Sequence, residues 1–99
     1  MEFAGFDWDR GNRKKCQKHG LSLAEIESVF DRPVVILPDA ENSKDERRFR
    51  AIGTTANGRN AFVVFTQRKG SDGVLIRPIS ARYMHKKEVD LYEKTYPDI

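Results

Sequence analysis

The sequence predicts an α+β fold in which helices pack on an antiparallel β-sheet, and two observations support this class. From residue 34 to residue 82, four apolar segments are separated by short turns, which favours a meander of neighbouring antiparallel strands. Helical signals lie on both sides of these strands, two before them and one after them. The chain has 99 residues, so we expect residues 1–99 to form a single domain with one core.

The N-terminal segment predicts a short strand followed by a helix. Residues 3–8 are rich in aromatic side chains, which suits a strand. Asp9 is a suitable N-cap for the following helix, and Gly20 is a suitable residue to end it, because glycine adopts positive φ without a Cβ clash. Three residues share one face of this predicted helix: Asn12, Cys16 and His19.

The second helix carries the clearest local signals. Ser22 and Glu25 have the spacing of a capping box, in which each side chain bonds the backbone N–H of the other residue. An apolar stripe predicts that the helix packs on a core; its members are Leu23, Ile26, Val29 and Phe30. Pro33 is expected to stop the helix.

Three strands are predicted between Pro33 and Ser71. Residues 34–37 are β-branched or aliphatic, and the polar residues 39–46 that follow are interpreted as an exposed loop. Residues 47–55 form the next strand, with Arg48 and Arg50 on the same face. The dipeptide Asn57-Gly58 predicts a type I′ hairpin turn. Residues 60–68 are apolar on both faces, which indicates a central strand.

The last strand begins at Gly73 and carries two arginines near its end, Arg77 and Arg82, before a helix predicted over residues 86–96. Arginine in a buried strand is costly unless the charge meets an anion, and a phosphate suits the planar guanidinium. The two residues are an odd number of positions apart, so a regular strand would place them on opposite faces. They can share a face only if the chain bulges near Pro78 or leaves the strand before Arg82.

Composition limits the choice of function only weakly. The net charge is +3 and the pI about 9.2, which is compatible with nucleic-acid binding and equally with an ordinary solvated surface. The lone cysteine, Cys16, forms no disulfide within the chain and favours a reducing, cytoplasmic setting. We find no secretory signal and no membrane-spanning segment. The two histidines lie far apart in the sequence and the acidic residues lack ligand spacing, so no metal or other cofactor is expected.

Four segments of the chain resemble the BrnT toxins of bacterial type II toxin–antitoxin systems. The first comprises residues 6–9 with Asn12, and the second comprises residues 18–20 with Phe30 and Asp31. The third comprises Glu46, Arg48, Phe49, Ile52 and Gly53. The fourth comprises residues 76–77, residues 79–82, Glu88 and Tyr92. Pro78 and His85 depart from the family pattern, in the last strand and at the start of the last helix.

The resemblance implies a RelE-like fold and a metal-independent endoribonuclease that stops translation in the bacterial cytoplasm. It also implies a BrnA-type antitoxin with a ribbon-helix-helix part. Operator DNA would be bound only through the complex of toxin and antitoxin.

Cleavage of RNA without a metal needs a base for the 2′-OH proton, cations for the charged phosphorane, and an acid for the leaving 5′-oxygen. Histidine suits either proton-transfer role, because its ordinary pKa lies near neutral pH. The candidate catalytic residues are His19, Lys18, Arg48 and Arg82. The candidate RNA-binding residues are Arg68, Arg77 and Lys86.

Each candidate catalytic residue also has a purely structural explanation. Lys18 and His19 could simply complement a helix dipole, and Arg48 could be a solvated strand residue. Arg82 could form a salt bridge with Glu88 or Glu93. Two other functions therefore stay open: a non-catalytic basic module that binds RNA or DNA, and an interaction domain that only binds an antitoxin.

Overall fold

The computed structural model describes residues 2–97 and contains one five-stranded sheet with the strand order β1-β5-β4-β3-β2. The strands are β1 (Gly5–Phe6), β2 (Val34–Pro38), β3 (Arg48–Thr54), β4 (Asn60–Gly70) and β5 (Gly73–Tyr83). Strands β2 to β5 form the antiparallel meander that the sequence predicts. The short β1 pairs parallel with β5, so the complete sheet is mixed.

Three α-helices flank this sheet within the described residues: α1 (Arg10–Cys16), α2 (Leu23–Val29) and α3 (Lys86–Thr95). Both predicted caps are present, since Asp9 exchanges hydrogen bonds with Asn12, and Ser22 does so with Glu25. None of the helices in residues 2–97 has the length and apolar character of a membrane span.

The two faces of the sheet bury different clusters. On one face α1 and α2 enclose the larger core, whose fully buried side chains include Cys16, Ile26, Val63 and Phe65. Burial raises the pKa of the Cys16 thiol to about 11, so this sulfur stays protonated at neutral pH. On the opposite face α3 covers a smaller cluster built from Val35, Ile52, Met84 and Tyr92.

A β-bulge in β5 resolves the positions of Arg77 and Arg82. Val64 pairs with Ser80, whereas the next residue, Phe65, pairs with Pro78, so Ile79 is the extra residue. The extra residue reverses the alternation of side chains along β5. Arg77 and Arg82 consequently lie on the same face of the sheet. A regular strand would have placed them on opposite faces.

Helix α1 is shorter than predicted. Its last turn tightens into bonds from Lys18 N–H to the Lys15 carbonyl and from Gly20 N–H to the Gln17 carbonyl. Gly20 has a φ of 98° but lies four residues beyond the end of the helix at Cys16. The predicted common helical face of Asn12, Cys16 and His19 is therefore wrong for His19, which is exposed in the following turn.

Two predictions about loops also need correction. The Asn57-Gly58 turn is not type I′, because only Gly58 has positive φ (85°) and its N–H bonds the Thr55 carbonyl. The segment 39–46 is not wholly exposed, because Asp39 is only 4 % exposed. Its backbone N–H bonds the Arg48 carbonyl, which ties the start of this segment to β3.

Candidate active site

The face of the sheet that carries α3 is only partly covered, and its open part is rich in arginine. Cross-strand pairing places Arg50, Val64 and Ser80 side by side on β3, β4 and β5. The same pairing brings Thr66 between Arg48 and Arg77 further along these strands. A continuous cationic surface therefore crosses three strands.

A cavity of about 210 Å³ lies at the α3 end of this surface. Phe62 and Val64 contribute its apolar lining. Its polar lining consists of His19, Asp39, Arg50, Ser80, Arg82 and Glu88. We call it the His19–Arg82 cavity.

The position of His19 depends on the short length of β1, which pairs with β5 only at Leu75 and Ile76. Beyond these residues α1 packs against β5, and the side chain of Asn12 donates a hydrogen bond to the Pro78 carbonyl at 3.0 Å. The turn after α1 therefore lies beside the edge of β5, from which an exposed side chain can face the open surface.

Arg82 is the most firmly held cation of the cavity. Its two terminal nitrogens each donate to one oxygen of the Glu88 carboxylate at 2.8 Å. Its guanidinium carbon lies 4.6 Å from the centre of the Phe62 ring, within the range of a cation–π contact. The Arg82 pair and the His85 backbone N–H lower the pKa of Glu88 to about 2, and Glu88 in turn raises the pKa of Arg82.

A second cleft, of about 390 Å³, adjoins the first along the sheet. Its charged lining consists of Asp9, Lys15, Glu46, Arg48, Arg68 and Arg77. We call it the Glu46 cleft.

Every arginine of the Glu46 cleft has a carboxylate partner. Glu46 accepts a hydrogen bond from Arg68 at 2.7 Å and lies 3.7 Å from Arg48. The hydrogen bond from Arg68 is the main reason that the pKa of Glu46 is lowered. Arg77 bonds Asp9 at 2.6 Å and Asp7 at 3.3 Å. Within residues 2–97, the buried Nε of Arg48 lacks a hydrogen-bond partner.

The seven residues selected from the sequence thus fall into three groups. His19 and Arg82 line one cavity, as the catalytic hypothesis requires. Arg48, Arg68 and Arg77 line the adjoining Glu46 cleft.

Lys18 and Lys86 lie apart from both groups. Lys18 borders a separate groove with Gly11, Lys14 and Lys15, while Lys86 is the exposed first residue of α3. In the part of the chain that is described, neither is among the residues lining the two clefts.

Sequence reasoning did not select four polar residues of the cavity as site residues: Arg50, Ser80, Asp39 and Glu88. Arg50 could have been found, because it alternates with Arg48 on one strand face. Ser80 could have been found in the same way, because it alternates with Arg82 on one face of β5 and the bulge at Ile79 precedes both residues. Asp39 carries no local signal that distinguishes it from the other acids of its loop.

Clustered metal ligands are not found in the described part of the chain, where no three His, Cys, Asp or Glu residues come together in a suitable arrangement.

A small α+β fold with a cationic sheet face, and a histidine beside its best-held arginine, is the arrangement expected of a protein that handles RNA. Comparison with protein-family models matches residues 8–88 to the family described as the ribonuclease toxin, BrnT, of type II toxin–antitoxin system. The chain belongs to this family. The matched residues contain His19, Arg82 and all of the arginines of the Glu46 cleft. A search of curated proteins found no match.

Proposed function

We propose that this protein is a metal-independent endoribonuclease toxin that cleaves RNA in the His19–Arg82 cavity and so inhibits translation. The 2′-OH attacks the adjacent phosphorus, the bond to the 5′-oxygen breaks, and the products are a 2′,3′-cyclic phosphate and a 5′-OH. The observation that carries the proposal is that His19 and Arg82, which are distant in the sequence, line the same open cavity.

In this proposal each group has one task. His19 transfers a proton at the scissile phosphate, as histidine can near neutral pH. Arg82 stabilises the charge of the phosphorane through its two parallel donors. Arg48 lies opposite Thr66 and Arg82 opposite Phe62, four residues apart on β4. That spacing is about 13 Å along the strand, so Arg48 contributes its charge from the neighbouring cleft.

The remaining cations bind the flanking RNA. Arg68 and Arg77 hold backbone phosphates in the Glu46 cleft, where each exchanges a carboxylate for a phosphate. Lys18 and Lys86 are exposed, and their charges attract the RNA without direct contact to the reacting atoms.

The partner follows from the family. A type II toxin has a cognate antitoxin, and we propose that the partner here is of the BrnA type with a ribbon-helix-helix part. Operator DNA is then bound only through the complex, and the toxin acts in the bacterial cytoplasm with a RelE-like fold.

The test is incubation of the purified protein with RNA in EDTA, followed by analysis of the product ends. We expect cleavage with 2′,3′-cyclic phosphate ends, and a loss on the order of 10²-fold or more in His19→Ala. His85→Ala is the matched control, since it removes the other histidine of the chain, which is also exposed and lies at the start of α3.

Two results would contradict the proposal. Binding of RNA without cleavage by the wild-type protein would identify a non-catalytic RNA-binding module instead. Full cleavage by His19→Ala would remove His19 from the mechanism. Because His19 is exposed, the thermal midpoint of this variant should match that of the wild type, which excludes unfolding as the cause of a loss.

A further inference from the structure

The His19–Arg82 cavity contains a carboxylate that the proposed chemistry has not yet used. Glu88 is the third residue of α3, and its side chain is 30 % exposed. The other carboxylate of the cavity belongs to Asp39, a residue only 4 % exposed. Of these two groups, Glu88 is therefore the one that a bound RNA can reach.

We propose that Glu88 is the general base of RNA cleavage and that His19 is the general acid. This inference rests on the proposed function and assigns the two proton transfers that it needs. Glu88 and His19 line the same cavity from different elements, with Arg82 held against Glu88. The phosphate site is thus placed between a proton acceptor and a proton donor.

An exchange of partners at Arg82 activates the base. In the free protein both terminal nitrogens of Arg82 are occupied by Glu88. A phosphate that binds Arg82 takes over these donors, because the guanidinium fork fits phosphate as well as carboxylate. Glu88 then loses the main cause of its lowered pKa and becomes a stronger base, while the His85 N–H still holds one of its oxygens at 2.8 Å.

The proton balance of the step is complete. Glu88 removes the 2′-OH proton as the 2′-oxygen bonds to phosphorus, and the bond from phosphorus to the 5′-oxygen breaks. Protonated His19 gives its proton to that departing oxygen. Glu88 ends protonated and His19 neutral, and exchange with solvent restores both groups.

Within the described residues, charged or titratable groups from several elements lie around Glu88, among them Tyr92 of α3 and Tyr96 of the segment after it. Arg82 comes from β5, Arg50 from β3 and His85 from the start of α3. His19 follows α1, and Asp39 follows β2. The acid limb of a pH–rate profile must therefore be assigned by comparing variants rather than from the wild type alone.

The first experiment compares single-turnover cleavage rates across pH for the wild type and Glu88→Gln. We expect a loss on the order of 10²-fold or more in Glu88→Gln and disappearance of the acid limb. A non-cleavable RNA with a 2′-deoxy scissile nucleotide should bind this variant at least as tightly as the wild type, because Arg82 no longer has a competing anion.

Two matched controls separate the role in catalysis from effects of charge. Glu93→Gln makes the same change on an exposed position of α3 and should leave the rate unchanged. Glu46→Gln also removes an arginine-bound carboxylate from this face, but from the other cleft. It should alter RNA affinity and keep the acid limb.

A substrate with an activated leaving group distinguishes the base from the acid. A ribonucleoside 3′-(4-nitrophenyl phosphate) needs no proton on its leaving group. We expect His19→Ala to recover most of its loss on this substrate and Glu88→Gln to recover none. For Glu88→Ala, added formate should restore part of the rate, which a merely structural residue would not allow.

Three results would overturn the assignment: wild-type rates in Glu88→Gln, an acid limb retained in its residual activity, or no rescue of folded Glu88→Ala by formate. If Glu88→Gln does not fold, Glu88→Asp replaces it and should keep both a carboxylate and measurable cleavage. Failure of the wild type to cleave any RNA would instead refute the proposed function, so the two failures are distinguishable.

Discussion

The ion pair between Arg82 and Glu88 joins α3 to β5 and also lines the His19–Arg82 cavity. Both oxygens of Glu88 are engaged by Arg82, and one of them also accepts a hydrogen bond from the backbone N–H of His85, the N-cap of α3. Glu88 therefore fastens the helix to β5 through a side chain that also faces the cavity. A phosphate that binds Arg82 must therefore compete with the carboxylate of Glu88.

Stability should depend on this pair in acid. The pKa of Glu88 is about 2 in the folded protein, against an ordinary value of 4.5, so its ionised form is favoured by folding. Its contribution is fully present above about pH 4.5 and is lost as the pH falls through about 2.

Glu88→Gln should accordingly lower the free energy of unfolding at neutral pH by about 1 kcal/mol, a value kept small because Arg82 is partly exposed. The difference from the wild type should shrink as the pH falls from about 4.5 to about 2. Urea denaturation at several pH values measures both. A difference that does not change with pH would contradict this account.

At the residue scale the sequence was informative where the signal was local. A salt bridge to Glu88 or Glu93 was the structural explanation offered for Arg82, and the bridge to Glu88 is present. The alternative partner, Glu93, was wrong. The sequence could not show that Glu46 lies between Arg48 and Arg68, because that contact depends on the pairing of β3 with β4.

At the scale of elements, the bulge in β5 and the start of α1 form one unit. The bulge leaves the Pro78 carbonyl facing α1, where Asn12 donates to it at 3.0 Å. Asn12 also donates to the Asp7 carbonyl at 3.0 Å and exchanges two capping bonds with Asp9. One buried amide thus fixes the position of α1 against β5, and with it the position of His19.

Asn12→Ala should lower the free energy of unfolding by about 2–3 kcal/mol, because the buried Pro78 carbonyl, the half-buried Asp7 carbonyl and the Asp9 backbone N–H all lose their side-chain partner. RNA cleavage by the folded fraction should also decrease, since the turn that carries His19 is no longer held in place. Calorimetry and a cleavage assay at low temperature measure the two effects.

Gln17→Ala is the control for this change. Its amide also bonds a backbone carbonyl, that of Arg13 at 3.1 Å, but it is exposed. A change below about 0.5 kcal/mol is expected there. Equal losses in the two variants would show that the buried position of Asn12 does not matter.

The sequence predicted the order and type of these elements but not all of their ends. A bulge near Pro78 was one of the two ways in which Arg77 and Arg82 could share a face, and the bulge is present. The early end of α1 was not foreseen, because residues 17–19 are compatible with a helix but form tighter turns in the structure. That turn places His19 near Arg82, so the geometry of the site depends on a detail that local propensity does not contain.

At the scale of the whole molecule, the distribution of charge matters more than its total. A net charge of +3 is modest, yet three strands present arginine on one partly open face. The mean composition could not reveal this face, because it arises from strand register and from the bulge. We expect a bound polyanion to replace the carboxylates that neutralise this face in the free protein.

RNA binding should therefore depend on salt through particular cations. Arg68→Gln should reduce the slope of log affinity against log salt by about 0.7, the value for one contact with a single strand. Lys69→Gln is the matched control, because it removes the same charge from the next position of β4, which points to the opposite face. It should change the slope far less, and equal slopes for the two variants would show that the net charge alone governs binding.

The most direct test of the central claim is to locate bound RNA by NMR, with an RNA whose scissile nucleotide lacks the 2′-OH. Shifts of backbone and side-chain signals should concentrate at Ser80, Arg82 and the turn that carries His19, with smaller shifts at Arg48 and Arg68. Shifts confined to the opposite side, around α2 and the Asn57-Gly58 turn, would contradict the account, because RNA would then bind away from the cavity in which we place its cleavage.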